Sequence, residues 1–224
     1  RKNYFYPDLP KGFQISQYDK PVSQKGAVTL RLADGTVRLI GVTRLHLEDD
    51  AGKLTHGEGG TLVDFNRSGS PLMEIVSEPD LRSTEEASAY ARQIQRLVRA
   101  IDASDADMEK GQMRFDINVS LRPKGQKKFG VKVEVKNLNS FRSLEKALNY
   151  EIQRQTALLK DNGQVVQETR GWDDEKLLTV AQRSKEEAAD YRYFPEPDIP
   201  PLVLTRDQVA ELKKNIPELP EAKA

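Results

Sequence analysis

The chain has 224 residues, long enough to bury a real core as one main domain with a small appendage. Its 35 basic residues balance 35 acidic ones, which argues against attachment to nucleic acid or membrane through a broad positive field and leaves room only for a local basic patch. With no cysteine there is neither a disulfide framework nor a thiolate metal site, and no run approaches the roughly 20 apolar residues that span a bilayer.

The absence of cysteine makes a soluble intracellular chain the default expectation, and the start, RKNYFYPD, lacks the apolar core of a signal peptide. Beginning on Arg1, it also reads as a piece of something longer. Residues 28 to 46 predict two strands around Asp34-Gly35, a strong hairpin signal. The acids Glu48, Asp49 and Asp50 follow directly, and taken alone they read as a solvated acidic turn. Glycines cluster in HGEGG at 56 to 60, a predicted loop.

The stretch PLMEIVSEPD, 71 to 80, puts Glu74 between Leu72-Met73 and Ile75-Val76, so a strand there carries a carboxylate into an apolar layer. An ionised carboxylate away from water needs a cationic partner, a metal ion or a raised pKa. An arginine partner and a metal fit the sequence equally well. Ser83 and Glu86 then form a capping box that opens a helix of about five turns, with Ala87, Ala91, Ile94, Val98 and Ile101 at helical spacing.

In MRFDINVSLRP the residues Met113, Phe115, Ile117, Val119 and Leu121 alternate with Arg114, Asp116, Asn118, Ser120 and Arg122. GVKVEVKN repeats the pattern, with Val131, Val133 and Val135 against Lys132, Glu134 and Lys136. An antiparallel pair must oppose polar to polar, because a one-residue slip flips every side chain. The register expected is Ser120 near Glu134 and Asn118 near Lys136, giving one surface with Arg114, Asp116, Asn118, Glu134 and Lys136. From pattern alone that surface is an ordinary solvent-facing side of a sheet.

A second helix is predicted from Ser140 to Lys160, with Phe141, Leu144, Leu148, Ile152 and Leu159 on one side and Asp161-Asn162-Gly163 ending it. Short strands follow within 164 to 180, then YRYFPEPDIPPL, too proline-dense for a central strand and read as an ordered loop. A short helix near 205 to 215 precedes a linker, IPELPEAKA. Trp172 reads as core or interface. His46 and His56 stay open between metal ligand and hydrogen-bonded core or loop histidine.

No P-loop, dinucleotide fingerprint or GxSxG is present. What stands out is acid on strands, and oxygen ligands from separate strands are how Mg²⁺ is held beside phosphates. Arg114 and Lys136 then offset phosphate charge, with positioning and electrostatics as the chemistry.

Six stretches carry a resemblance: RKNYFYPDLPKGFQISQYDKP, RLHLEDDAGK, DFNRSGSPLMEIVSEPDLRS, MRFDINVSLRP, EVKNLNSFRSLEKALNYEIQRQ and DYRYFPEPDIPPL. In this order, over nearly the whole chain, they closely resemble the B-subunit family of the aspartyl/glutamyl-tRNA amidotransferases. The resemblance implies an α+β fold similar to the glutamine synthetase catalytic fold, a curved antiparallel sheet backed by helices. It implies residues 1 to 204 as the central part of a kinase domain, and 205 to 224 as a short helix and linker toward a C-terminal helical domain.

The implied activity is that of a carbon-nitrogen ligase with glutamine as amido donor, bacterial and cytoplasmic or in an organellar matrix. The amidase, or A subunit, releases ammonia, and a small C subunit ties the heterotrimer together. The B subunit uses ATP and Mg²⁺ to phosphorylate the side-chain carboxylate of misacylated tRNA, either Glu-tRNA(Gln) or Asp-tRNA(Asn). No membrane is involved. The family's metal acids match Asp49 and Glu74, with Glu48 beside them; family members often read Glu-Glu-Asp where this chain has Glu48-Asp49-Asp50.

Asp116, Glu134 and Lys136 lie in motifs that the family places around the same cradle; read from the residues themselves, Glu74, Asp116, Arg114 and Lys136 are the expected catalytic set, and Arg114, Asn118, Glu134 and Lys136 the expected nucleotide-binding set. The family's first metal ligands lie in a Gly-Leu-Glu-Val-His strand that would precede Arg1, so the isolated piece is expected to be inactive. Two other readings remain: a non-catalytic scaffold and tRNA-docking surface of the same complex, and an acid-amine ligase acting on a small metabolite.

Overall fold

The computed structural model describes residues 1–57, 59–184 and 190–220. In chain order the elements are β1 (Lys2–Asn3), β2 (Phe13–Gln14), β3 (Ser23–Arg31), β4 (Val37–Asp49), β5 (Lys53–Gly57), β6 (Gly60–Asp64), β7 (Pro71–Ser77), α1 (Thr84–Ala100), β8 (Phe115–Val119), β9 (Val133–Leu138), α2 (Phe141–Lys160), β10 (Glu168–Asp173), β11 (Leu178–Ser184) and α3 (Arg206–Lys214). The fold is α+β with antiparallel sheets and helices, as expected. The chain divides into two compact units, one of Arg1–Thr29, Leu39–Asp80 and Ala188–Val209, the other of Leu30–Arg38, Leu81–Glu187 and Ala210–Ala224.

The first unit is built on a three-stranded sheet in the order β3-β4-β7, with small antiparallel pairs β1-β2 and β5-β6. β4 runs through Asp49, so Glu48 and Asp49 are strand residues and not the turn expected of them. A strand seven residues long, β7, pairs antiparallel with β4 and sets His46 against Glu74 and Glu48 against Leu72. HGEGG is likewise not a plain loop: His56 and Gly57 lie in β5 and Gly60 opens β6. The proline-rich segment is held as an ordered loop by β1, through Asn3 N–H to Tyr191 O (2.8 Å), Asn3 Nδ2 to Arg192 O (2.7 Å) and the Arg1 to Glu196 ion pair (2.5 Å).

The second unit packs α1 and α2 with a four-stranded sheet in the order β11-β10-β9-β8. β8-β9 and β10-β11 are antiparallel, but β9 and β10 run parallel. The reason lies in the connection: α2 is a full crossover between β9 and β10, which a tight hairpin cannot replace. The apolar faces of the strands and of α2 meet in a core of Val119, Val133, Val135, Leu138, Ala147, Leu148 and Trp172. Fully burying a valine or leucine side chain stabilises by about 1.5–3 kcal/mol, so this cluster anchors the unit.

The β8-β9 register differs from the expected one by two residues, with Asn118 opposite Glu134 and Val119 opposite Val133, and a bulge between Phe115 and Ile117. A two-residue shift preserves the faces, which is why the polar surface survives it. Val131 is half-exposed, since β9 starts only at Val133. Gly130 lies just ahead of that start, where a Cβ would collide with the Leu121 carbonyl oxygen, an approach only glycine permits.

Both predicted helix starts are capped. Ser83 Oγ accepts from Glu86 N–H (3.1 Å), while the Glu86 carboxylate accepts from Arg82 N–H (2.6 Å), one residue beyond the N-cap N–H of a standard capping box. Ser140 Oγ accepts from Ser143 N–H at 2.9 Å. α2 ends at Asp161, with Asn162 at φ 56° and Gly163 N–H returning to Leu158 O at 2.8 Å. No buried residue lies on α3, and among the described residues no helix is long and apolar enough to cross a membrane.

Candidate metal centre on the first sheet

Strand periodicity builds the site. His46 and Glu48, two apart on β4, share a face, and the β4-β7 register brings Glu74 directly opposite His46. His46 Nε2 is hydrogen-bonded to Glu48 Oε2 at 3.3 Å and lies 3.2 Å from Glu74 Oε2. One ligand atom from each of the three falls within 4.8 Å of the others.

The imidazole is fully buried, the Glu48 side chain is 13 % exposed and the Glu74 side chain 47 %. Glu74 therefore does not enter an apolar layer. Leu72 and Val76 flank it on its own face at the strand's period, but its carboxylate opens toward solvent and meets a histidine, His46, at 3.2 Å rather than an arginine.

Asp49 points the other way, as its odd position on β4 requires. Its Oδ1 accepts from Ile15 N–H at 2.7 Å and its Oδ2 pairs with Lys11 Nζ. The structure thus groups Glu48 and Glu74 with His46 and leaves Asp49 with Lys11. Asp50 is buried and pairs with Arg67 at 2.8 Å. The side chain of His56, the other candidate histidine, lies outside the described residues.

An aromatic group stands beside the acids. The Tyr18 ring meets His46 edge-on at 6.0 Å, stacks on Tyr193 at 5.7 Å and carries the Arg44 guanidinium at 4.4 Å. Tyr191 meets Tyr193 and Tyr4 edge-on. Burial pushes the Tyr193 phenol up, with help from Tyr18, Tyr191 and the carboxylates of Glu48 and Glu74. Burial likewise pushes the Tyr4 phenol up to about 12. Both stay neutral hydrogen-bonding groups near pH 7. Nothing in the spacing of these tyrosines identifies them as neighbours of the acids; only the tertiary structure of this unit does.

The remaining expected residues belong to the second unit. Lys136 Nζ lies 3.7 Å from Asp116 and 3.9 Å from Glu134, and Asn118 opposes Glu134 in the ladder. Arg114 is exposed just before β8. Thr169 on β10 donates to Glu134 Oε2 at 2.9 Å. No sequence pattern marks Thr169, because its place beside Glu134 follows from the parallel β9-β10 register.

What can this arrangement do? Two carboxylates on paired strands, close enough to share one ion, match the hard oxygen donors that Mg²⁺ takes. The polar face of the second unit offers one lysine flanked by two acids, which suits orientation of a charged group more than proton transfer at neutral pH.

Comparison with known proteins places this geometry in a family. The family described as the GatB/GatE catalytic domain matches residues 1–210. The chain is 55 % identical to the B subunit of the aspartyl/glutamyl-tRNA(Asn/Gln) amidotransferase of Persephonella marina and 54 % identical to that of Herpetosiphon aurantiacus, over all 224 residues and 47 % and 46 % of those relatives. The corresponding B subunit of Halorhodospira halophila is 56 % identical over 100 % of this chain and 47 % of its own length. The chain spans about half the length of the curated relatives it matches. A match of this extent, over a chain whose acids gather on one sheet face, means that the chain belongs to the GatB/GatE catalytic-domain family.

Proposed function

We propose that this chain is the catalytic portion of a B subunit that activates misacylated tRNA with ATP and Mg²⁺, within an amidotransferase that also holds the amidase (the A subunit) and a small C subunit. The observation that carries the reading is the Glu48 and Glu74 pair, set on adjacent strands and tied together by His46. The relatives are B subunits of aspartyl/glutamyl-tRNA(Asn/Gln) amidotransferases, which supports the same reaction class.

In the proposed reaction a side-chain carboxylate oxygen of Glu-tRNA(Gln) or Asp-tRNA(Asn) attacks the γ-phosphorus of ATP, and the bond to the β,γ-bridging oxygen breaks to release ADP. Ammonia from glutamine then attacks the acyl carbon and inorganic phosphate leaves, giving the amide. The attacking carboxylate is already anionic near neutral pH, so no strong general base is needed.

Glu48 and Glu74 would hold the divalent ion, which when bound neutralises charge on the transferring phosphoryl group. In the proposal Lys136, flanked by Asp116 and by Glu134, which Thr169 holds, serves nucleotide binding on the second unit's own polar face, to which Arg114 and Asn118 also belong. Asp49 takes a different part: with Lys11 it braces the start of the chain to β4.

The test is ATP hydrolysis by the full-length protein in its complex, with and without Glu-tRNA(Gln), comparing wild type with Glu74→Gln and following glutaminase activity in parallel. Charged tRNA is expected to stimulate ADP release in wild type and not in the variant, with assembly and basal glutaminase intact. Normal tRNA-stimulated hydrolysis by Glu74→Gln would overturn the metal assignment and favour a scaffold role for this sheet.

A further inference from the structure

His46 is fully buried, yet only one of its ring nitrogens has a partner. Nε2 meets Glu48 at 3.3 Å and Glu74 at 3.2 Å. Nδ1 is buried with no hydrogen-bond partner among the described residues. A neutral imidazole has one N–H and one bare lone pair, and which nitrogen keeps the proton follows from the surroundings.

The two tautomers are unequal here. With the proton on Nε2, a donor faces two anionic acceptors and only a lone pair at Nδ1 goes unmatched. With the proton on Nδ1, a buried donor has no acceptor while the Nε2 lone pair confronts carboxylate oxygens. The second arrangement loses a charge-assisted hydrogen bond and adds a buried unsatisfied donor.

A histidine that ligates a metal through one nitrogen carries its proton on the other, and that N–H is almost always given to a carboxylate, carbonyl or water. Nδ1 of His46 is buried and has no carboxylate or carbonyl acceptor among the described residues. We infer that His46 is a positioning residue and not a metal ligand: its Nε2–H, hydrogen-bonded to Glu48 Oε2 and 3.2 Å from Glu74 Oε2, holds the two carboxylates on the β4-β7 face and leaves their remaining oxygens for the ion. The edge-on Tyr18 ring at 6.0 Å packs the imidazole in that orientation. This rests on the metal reading above and deepens it, since these three residues then present an oxygen-only donor set, which suits Mg²⁺ or Mn²⁺ over softer ions.

Mn²⁺ bound to the full-length protein in its complex supplies the test, read by pulsed electron paramagnetic resonance for directly bonded nitrogen and by titration for affinity. The nitrogen couplings of wild type and His46→Gln are expected to superimpose. His46→Ala is expected to weaken Mn²⁺ binding about tenfold or more, while His46→Gln, whose amide N–H reaches the same oxygens, stays within about threefold of wild type.

A directly bonded nitrogen coupling that is present in wild type and lost in His46→Gln makes His46 a ligand and overturns the inference, with the metal site intact. Wild-type affinity in His46→Ala overturns it too. Unchanged Mn²⁺ binding in the double variant Glu48→Gln, Glu74→Gln removes the metal reading itself, a result that the nitrogen spectrum cannot mimic.

Discussion

Asp8 has a carboxylate Oδ1 that is buried with no hydrogen-bond partner among the described residues. Burial is the main cause that holds its pKa above the usual range, with Asp50 adding to it and Arg67 opposing. A raised folded-state pKa favours the protonated form, so the contribution of Asp8 is intact below the unfolded value near 3.9 and is lost as pH rises through the folded value. Asp8→Asn keeps the shape and removes the charge. Thermal melts are expected to show a higher Tm for the variant at pH 7 and no gain below about pH 4; equal gains at both would show that charge is not the cause. The same scale explains Glu74: its neighbours in sequence are apolar, but its carboxylate opens to solvent and meets the His46 ring, so its partner could not be read from its own strand.

At the scale of elements, α2 carries the most polar join in the second unit. Glu151 and Gln155 are fully buried on it. Glu151 accepts from Arg154 Nη2 at 2.5 Å, Gln155 Nε2 at 2.9 Å and Thr179 Oγ1 at 3.1 Å, and Arg170 Nε lies 3.8 Å away. Its carboxylate raises the pKa of Arg154, so the guanidinium stays charged. Replacing Glu151 with leucine leaves Arg154 and Arg170 to share Glu168 alone and strips Gln155 and Thr179 of a buried acceptor, and chemical denaturation is expected to show a loss of about 3 kcal/mol or more. A loss below about 1 kcal/mol would mean that water repairs the gap. The N-cap is a smaller effect: Ser140→Ala should cost about 1 kcal/mol by the same measurement, because Ser143 N–H loses its acceptor. Helix bounds, caps and the alternating strands were legible because each rests on period or on a local side chain. The β8-β9 register was not, since a shift of two residues leaves every face where it was.

For the whole molecule, charge balance and length set the expectations. With no net charge, a chain covering about half of its relatives should make few phosphate contacts of its own. Fluorescence anisotropy with tRNA is expected to give a Kd above about 10 µM near 0.15 M salt for these 224 residues alone, with a shallow salt slope. Nanomolar binding would mean that tRNA is gripped here and not mainly elsewhere in the full-length protein. The division into two units also matters for assigning roles: Glu48 and Glu74 belong to one, and Asp116, Asn118, Glu134 and Lys136 to the other. On the proposed roles, variants of each set can be scored separately, by metal affinity for the first and nucleotide affinity for the second.

Local sequence alone was enough to specify the class of fold, the two capped helices, the polar strand face and, through six ordered motifs, the family. These depend on period, capping and contiguous residues, which the chain states locally. Folding was needed to establish that β4 continues through the acids, that β9 and β10 run parallel, that Asp49 turns to Lys11 while Glu48 turns to Glu74, and that His46 sits beneath both carboxylates. Each of those is a pairing across strands, fixed by register and burial between segments far apart in the chain. A donor finds its acceptor only when the sheet closes.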